Sequence, residues 1–162
     1  MLDAPEIITT TAETTAIIRL TIPRAQIHAL MGPAIGELIA TVSAQRIGPT
    51  GPLYSHHLRL DPEVFDFEIG VPVSGEVVPT GRVVAGALPA ARVVRTIYRG
   101  PYEGLGAAWG AFDKWMVEKG LVGGPDLWEC YAKGPESGND PTLWQTVLNR
   151  PLGALPPIPA PD

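Results

Sequence analysis

Residues 91–116 read ARVVRTIYRGPYEGLGAAWGAFDKWM, and this stretch predicts one strand, one turn and one helix. Its first eight residues are rich in β-branched side chains, which favours a strand over 91–98. Gly100-Pro101-Tyr102 predicts a turn. Beyond the turn, apolar residues recur at the spacing of one helix face, which stops at Gly120. That face consists of Leu105, Ala108, Trp109, Phe112, Trp115 and Met116.

The same order of elements occurs on both sides of this stretch. After the helix, LWECYA and TLWQTVL predict two further strands, at 127–132 and 142–148. The first half of the chain begins with AIIRLTI, a predicted strand, and continues with a helical apolar pattern that has Pro33 in its first turn. Two more predicted strands complete that half, at 53–60 and 64–73.

These patterns predict an α+β fold made by tandem duplication of a strand–helix–strand–strand unit. The two halves span about 6–75 and 83–152, residues 74–82 link them, and together they form a single domain over 1–152. A proline-rich tail follows at 153–162. Because each helix must cover one face of the sheet, we expect an antiparallel sheet with two helices on one face and a ligand cleft on the other.

The composition excludes several classes of protein. A formal net charge of −5 argues against direct nucleic-acid binding, since duplex binders present a basic surface. Cys130 is the only cysteine, so no intrachain disulfide forms. The N-terminus lacks a signal-peptide pattern, and no run approaches the roughly 20 apolar residues of a membrane span. We therefore expect a cytoplasmic protein that does not associate with membranes.

Several short motifs, in this order and at this spacing, carry a family resemblance. In the second half they are Leu88-Pro89-Ala90, Gly100-Pro101-Tyr102, Trp115, the Glu129–Tyr131 pair, and Thr146 before Pro151; in the first half they are Gly51-Pro52 and GVPV at 70–73. The chain resembles the GyrI-like domains, which are also the effector-binding domains of AraC- and MerR-type multidrug regulators. The resemblance covers nearly the whole chain except the tail and implies a stand-alone domain that binds small molecules.

Glu129 is the first candidate for a functional residue. It lies in the apolar strand LWECYA, where an unpaired buried carboxylate costs several kcal/mol. Glu129 and Tyr131 face one side of this strand, and Trp128 and Cys130 face the other. From the residues alone, Glu129 is either a solvated edge carboxylate or a pocket acid. The family resemblance implies the pocket role, in which the acid attracts flat cationic ligands.

Aromatic residues near Glu129 are the further candidates. Trp144 shares a face with Thr146 on the last predicted strand, Tyr102 lies where strand meets helix, and Tyr98 and His57 lie on central strands. Trp109 is either a core anchor or a pocket residue, whereas Phe112 and Trp115 are expected in the core. Asp66 and Glu68 either acidify the cleft wall or form a solvated face. The adjacent His56 and His57 point to opposite sides of a strand, so we predict no metal site and no cofactor.

Three functions remain open at this point. The first is a binding module that senses, sequesters or detoxifies small amphipathic or cationic aromatic molecules. The resemblance also implies a hydrolase of the cyclopropanoid-hydrolase type, in which Glu129 and Tyr131 are the catalytic base and acid. The third is an interaction protein that modulates DNA gyrase, for which the family is named. A homodimer through exposed sheet edges is a further alternative.

Overall fold

The computed structural model of the chain describes residues 2–153, except for the side chains of Leu60 and Glu136. The predicted tail lies outside the described residues, apart from Gly153. One eight-stranded antiparallel sheet carries two long helices, so the predicted α+β fold class is confirmed. In chain order the elements are β1 (Glu6–Thr9), β2 (Glu13–Pro23), α1 (Ile27–Ala44), β3 (Tyr54–Leu60), β4 (Val64–Pro72), β5 (Val84–Leu88), β6 (Arg92–Arg99), α2 (Leu105–Glu118), β7 (Leu127–Lys133) and β8 (Gln145–Pro151).

The duplication is visible in the order of the elements. β2, α1, β3 and β4 form the first unit, and β6, α2, β7 and β8 repeat that order. Each helix is entered through one 3-10 turn, Arg24–Gln26 or Tyr102–Gly104, that follows a proline. The strand order is β1-β6-β8-β7-β3-β4-β2-β5, so the two units meet where β3 pairs with β7 at the centre of the sheet.

Two edge strands, β1 and β5, extend the predicted units. β1 precedes the first unit but pairs with β6 of the second, and β5 precedes the second unit but pairs with β2 of the first. Neither strand is predicted from the sequence, because four or five residues give little periodicity and β5 contains Gly86. A Cβ at Gly86 would lie 2.6 Å from Cγ2 of Ile17, so the close approach of β5 to β2 requires glycine there.

The sheet is strongly curled. β1 and β2 are six positions apart in the strand order, which would separate them by about 29 Å in a flat sheet. Only residues 10–12 join them, and the four steps from Thr9 to Glu13 reach at most about 14 Å. The two edges therefore approach each other. Tyr54 and Trp128 lie on the concave face, where the Tyr54 ring rests on Gly70 and the Tyr54 hydroxyl is 2.9 Å from Thr15 Oγ1.

Both helices pack on the other face, each over its own unit. Ala34, Leu38 and Val42 of α1 are buried with apolar residues of β2 and β4. Ala108, Phe112 and Met116 of α2 are buried with residues of β6 and β8. The central strands β3 and β7 lie between these two cores. This arrangement leaves room above the centre of the sheet.

Helix α1 begins six residues before Pro33, so the prediction that Pro33 lies in its first turn is wrong. The proline removes a backbone hydrogen bond inside the helix. Burial of Ile27 and Met31 against the sheet offsets that cost, because both belong to the apolar stripe.

Arg24–Ala44 also has the length and mean hydropathy, 21 residues and 1.3, of a helix able to cross a membrane. This finding corrects the expectation that no segment approaches such a length. The test concerns length and composition only, and core helices of folded domains pass it as well. In the structure this segment packs on the sheet through Ala34, Leu38 and Val42.

The last strand begins later than predicted, at Gln145 instead of residue 142. Asp140 accepts a hydrogen bond from the Thr142 backbone N–H and starts a 3-10 turn over Pro141–Leu143. Trp144 therefore lies directly before the strand, in extended conformation. Its indole N–H donates to the carbonyl of Gly138, at 3.1 Å.

Candidate functional site

A cavity of about 520 Å³ lies between α1 and α2, above the central strands. It is on the same face of the sheet as the helices, so the prediction of a cleft on the opposite face is wrong for this cavity. The reason is that each helix covers only its own unit and leaves β3 and β7 exposed between them. Its walls combine Ile27 and Met31 of α1, Leu105 and Trp109 of α2, and Ser55, His57, Phe67, Glu129 and Tyr131 of the sheet.

Glu129 lies at the floor of the cavity with only 8% of its surface exposed. The Trp109 indole N–H donates to Oε1 at 2.6 Å, and the Tyr131 hydroxyl donates to Oε2 at 2.8 Å. Burial raises the pKa of the carboxyl, and these two hydrogen bonds oppose that rise. Among the described residues no basic side chain forms an ion pair with Glu129, so both of its partners are neutral.

Tyr131 connects Glu129 to Ser55. Its hydroxyl lies 2.8 Å from Ser55 Oγ as well as 2.8 Å from Glu129 Oε2. The Tyr131 phenol has one proton, which it donates to the Glu129 carboxylate. The Ser55 hydroxyl therefore donates to the Tyr131 oxygen. Burial, followed by the negative charge of Glu129, raises the pKa of Tyr131 well above its ordinary value. Tyr131 is therefore a neutral donor to the carboxylate.

Aromatic rings surround this carboxylate. Tyr102 packs edge-on against Tyr131, with ring centroids 5.7 Å apart, and lies 5.1 Å from the ring of Trp144. Tyr102 and Tyr131 line the cavity, whereas Trp144 contacts the site through Tyr102. Trp109 both lines the cavity and stacks on the core residue Phe112 at 5.7 Å. Trp109 thus has features of both predicted alternatives, a core anchor and a pocket residue.

The end of the cavity beside β4 has a different character. The His57 ring stacks on Phe67 at 5.0 Å and meets Phe65 edge-on at 5.5 Å. Burial, aided by the positive charge of Arg24, lowers the pKa of His57 to about 4, so the ring is neutral at pH 7. The Arg24 guanidinium lies 4.4 Å from the centre of the Phe65 ring.

Two other predicted groups lie away from this cavity. Tyr98 is buried beneath α2 and its hydroxyl donates to the Pro101 carbonyl at 2.8 Å, so the prediction that it lines the cleft is wrong. The physical reason is that α2 covers β6, which turns the Tyr98 side of that strand into core. Asp66 alternates with Phe67 and therefore points to the opposite face, where it pairs with Arg19 and Arg59.

His56 and His57 point to opposite faces, as the alternation of a strand requires. His56 meets Trp128 edge-on at 5.5 Å on the concave face, and its Nε2 lies 2.7 Å from Asp126 Oδ2. Within residues 2–153 no group of three or more His, Cys, Asp or Glu side chains is arranged to hold a metal ion.

Several cavity residues escaped the sequence analysis, namely Arg24, Met31, Ser55, Phe65 and Phe67. The internal repeat carries the signal that would have identified part of this set. Ile27 and Leu105 are the first residues of α1 and α2, and Met31 and Trp109 are the fifth residues. All four line the cavity, because the two helices face it in equivalent ways.

A second cavity, of about 590 Å³, lies within the curl of the sheet on the concave face. Its walls include Tyr54, Trp128 and Cys130, together with the charged residues Glu13 and Arg95. Burial raises the pKa of the Cys130 thiol to about 11, so the thiol is protonated at pH 7 and is a poor nucleophile. Glu129 does not reach this cavity, because it projects from the other face of β7.

Solved structures of other proteins share this fold. The C-terminal domain of EcmrR superposes with a TM-score of 0.74 at 20% identity, over 94% of this chain and 98% of that one. SAV2435 bound to tetraphenylphosphonium gives 0.70 at 10% identity, over 94% and 95%. A hydrolase from Listeria innocua gives 0.63 at 14% identity, over 92% and 91%. At these identities the likeness establishes the fold.

This chain matches only part of one longer structural neighbour. In the complex of EcmrR with DNA the TM-score is 0.77 at 17% identity, and the chain spans 58% of the length of EcmrR. No curated protein matches the chain. The family model described as the GyrI-like small molecule binding domain matches residues 3–148. That match covers almost every described element from β1 into β8, and the chain therefore belongs to the GyrI-like family of small-molecule-binding domains.

Proposed function

We propose that the chain binds small, amphipathic aromatic cations in the cavity between α1 and α2, as a sensing, sequestering or detoxifying domain. One observation carries this proposal, the burial of Glu129 without a positive partner among the described residues. A buried carboxylate whose only partners are neutral retains a large part of its desolvation cost. A bound cation would supply the missing countercharge.

The walls of the cavity support an aromatic ligand. Trp109, Tyr102 and Tyr131 surround the carboxylate, and His57, Phe65 and Phe67 line the other end. A cation over such rings gains about 0.5–2 kcal/mol per contact. A volume of about 520 Å³ is within the range of drug-sized ligands. SAV2435, a structural neighbour, is bound to tetraphenylphosphonium, which is a lipophilic aromatic cation.

Calorimetric titration with tetraphenylphosphonium tests this proposal. We expect the wild-type domain to bind it and Glu129→Gln to weaken binding by about tenfold or more, because glutamine keeps the shape but removes the charge. Triphenylphosphine oxide, an uncharged analogue, should bind both proteins equally. Equal affinity of both proteins for the cation would show that Glu129 does not provide the attraction.

A second function, hydrolysis, is favoured by the contact between Glu129 and Tyr131. In this alternative the cavity holds a compound with a strained cyclopropane ring conjugated to a carbonyl group. Glu129 takes a proton from water, the water oxygen bonds to a ring carbon, and the carbon–carbon bond of the ring breaks. The electron pair moves to the conjugated carbonyl oxygen, which takes a proton from Tyr131. The protonated Glu129 then returns a proton to the Tyr131 phenolate across their 2.8 Å contact, so the net change is addition of water. The raised pKa of Glu129 suits a general base, and the Listeria innocua neighbour is a hydrolase.

The two functions differ in what is recovered after incubation. A binding domain returns its ligand intact, whereas a hydrolase releases a product heavier by one water. Mass spectrometry of a cyclopropane-containing DNA-alkylating compound, incubated with wild type and with Glu129→Gln, separates them. Water addition that disappears in the variant, while the compound still binds, would support the enzyme. Recovery of the intact compound from both proteins would support the binding domain.

A further inference from the structure

We propose that the cavity ligand is a zwitterion, with its positive group beside Glu129 and a negative group beside Arg24. This inference rests on the proposed function and adds a second charged group, at the opposite end of the aromatic body. Its basis is the set of charges around the cavity, in which Glu129 and Arg24 are the two that lack an ion-pair partner among the described residues.

Arg24 lies at the mouth of the cavity, at the end remote from the aromatic cluster of Tyr102 and Tyr131. Its guanidinium covers the Phe65 ring at 4.4 Å, and its Nε donates to the backbone carbonyl of Asp61 at 2.8 Å. No carboxylate of the described side chains forms an ion pair with it. The stacking and the backbone contact fix the guanidinium, while its two terminal nitrogens keep their hydrogen-bonding capacity.

The acidic groups closest to Arg24 are already engaged. The carboxylate of Asp61 accepts the backbone N–H groups of Glu63 and Val64, at 2.8 and 3.2 Å, and lies 3.5 Å from Arg59. Asp66 is shared by Arg19 and Arg59 on the other face. Of the guanidinium groups of Arg19, Arg24 and Arg59, that of Arg24 has no ion pair among the described side chains, and its charge acts on the Asp61 carboxylate from beyond ion-pair distance.

The remaining charged wall residues are paired. Asp113 lies 3.1 Å from Arg150, and Arg59 is held by Asp61 and Asp66. His57, between the two ends, is neutral at pH 7. A ligand that enters this cavity thus meets one unpaired negative charge at its floor and one unpaired positive charge at its mouth, with aromatic side chains between them.

The internal repeat explains how the two ends came to differ. Arg24 and Tyr102 occupy the same place in the two units, the first residue of the 3-10 turn that follows Pro23 or Pro101. One unit has an aromatic ring at this place, close to Glu129 through Tyr131, and the other has a guanidinium. Equivalent positions therefore give the cavity an aromatic end, next to Glu129, and a cationic end.

A matched pair of rhodamine dyes tests this inference. The methyl ester is a monocation, and the same dye with a free carboxylic acid is a zwitterion at pH 7. We expect the wild-type domain to bind the free acid about two- to fivefold more tightly than the ester, which is the range for a partly exposed ion pair. Arg24→Gln should abolish this preference, measured as the ratio of the two affinities within one protein, and Arg24→Lys should restore part of it.

Two further variants complete the experiment. Arg92→Gln makes the same change of net charge at an exposed site on β6 and should keep the preference for the free acid. Glu129→Gln should weaken both dyes by the same factor. Equal affinity of the wild-type domain for the two dyes, tighter binding of the ester, or a preference for the acid that survives Arg24→Gln would overturn the inference while leaving the proposed function intact. Failure of both dyes to bind the wild-type domain would count against the proposed function and against the inference together.

Discussion

The Trp109 indole N–H donates a 2.6 Å hydrogen bond to Oε1 of Glu129, and this contact links helix α2 to the central strand β7. Trp109 is on the apolar stripe of its helix and stacks on the core residue Phe112. Packing therefore holds the indole ring in place independently of its hydrogen bond to Glu129. A buried carboxylate held by a rigid donor keeps one orientation towards the cavity, which is the preorganisation that a binding site for a cation needs.

Removing the indole donor should weaken this link. Trp109→Phe keeps an aromatic ring and deletes the N–H, so we expect a loss of about 2 kcal/mol in the free energy of unfolding, the value of a hydrogen bond to a charged group. The pKa of Glu129 should rise further, because a contact that lowers it is lost. Urea denaturation measures the first change and an NMR titration of the Glu129 side chain measures the second. Trp115→Phe, on the same helix but without this contact, should leave that pKa unchanged.

Binding of a cation should depend on pH in the direction set by Glu129. Burial raises the pKa of this carboxyl above 4.5, so the carboxylate is lost at a higher pH than for an exposed glutamate. As the pH falls through the raised pKa, affinity for tetraphenylphosphonium should fall and level off near the affinity of Glu129→Gln, because a protonated glutamate and a glutamine are both neutral. Calorimetry over a pH series checks this, with Glu129→Gln as the control that shows no such dependence. An affinity that stays constant down to the range of ordinary carboxyl groups would contradict a buried site.

His57 should make the folded state sensitive to acid. Its pKa is lowered from 6.5 to about 4 in the folded state, so the unfolded chain binds more protons between these values. The free energy of unfolding attributable to His57 therefore falls as the pH drops from 6.5 towards 4. His57→Phe, which keeps the stacking on Phe67, should lose less stability over this window than wild type does. Parallel denaturation curves for the two proteins across pH 4–7 would disprove this account.

The concave face offers a test of packing that is independent of ligand binding. The Tyr54 ring rests on Gly70, where a Cβ would lie 2.6 Å from the ring. Gly70→Ala should therefore displace the ring and weaken its contact with Thr15, at a cost of about 1–3 kcal/mol. Gly110→Ala, on α2 with open space around it, should be neutral or stabilise by up to about 1 kcal/mol. Thermal unfolding of the two variants gives the comparison.

Periodicity in the sequence determined the elements that pack in a regular way. The stripe from Leu105 to Met116 predicts α2 nearly to its observed end at Glu118. Six apolar residues at helical spacing fit no other regular secondary structure. Strand alternation likewise placed Glu129 and Tyr131 together and opposite to Trp128 and Cys130. These inferences depend on local geometry alone.

The position of the cleft depended on information that no local pattern contains. Alternation shows which residues share a face, but it does not show which face the helices cover. Tyr98 and His57 looked equivalent as aromatic residues of central strands. Their surroundings differ because α2 covers β6, whereas β3 lies in the gap between the helices. The start of α1 was missed for a similar reason, since the burial of Ile27 and Met31 outweighs the local preference of Pro33.

The exchanged edge strands have a consequence for how the molecule holds together. β1 is hydrogen-bonded into the second half and β5 into the first, while β3 and β7 join the halves at the centre. A protease cut between Val73 and Val83 would produce two fragments that remain hydrogen-bonded to each other, because each contributes an edge strand to the other's half of the sheet. We therefore expect the nicked chain to elute as one species in size-exclusion chromatography and to unfold in a single cooperative transition.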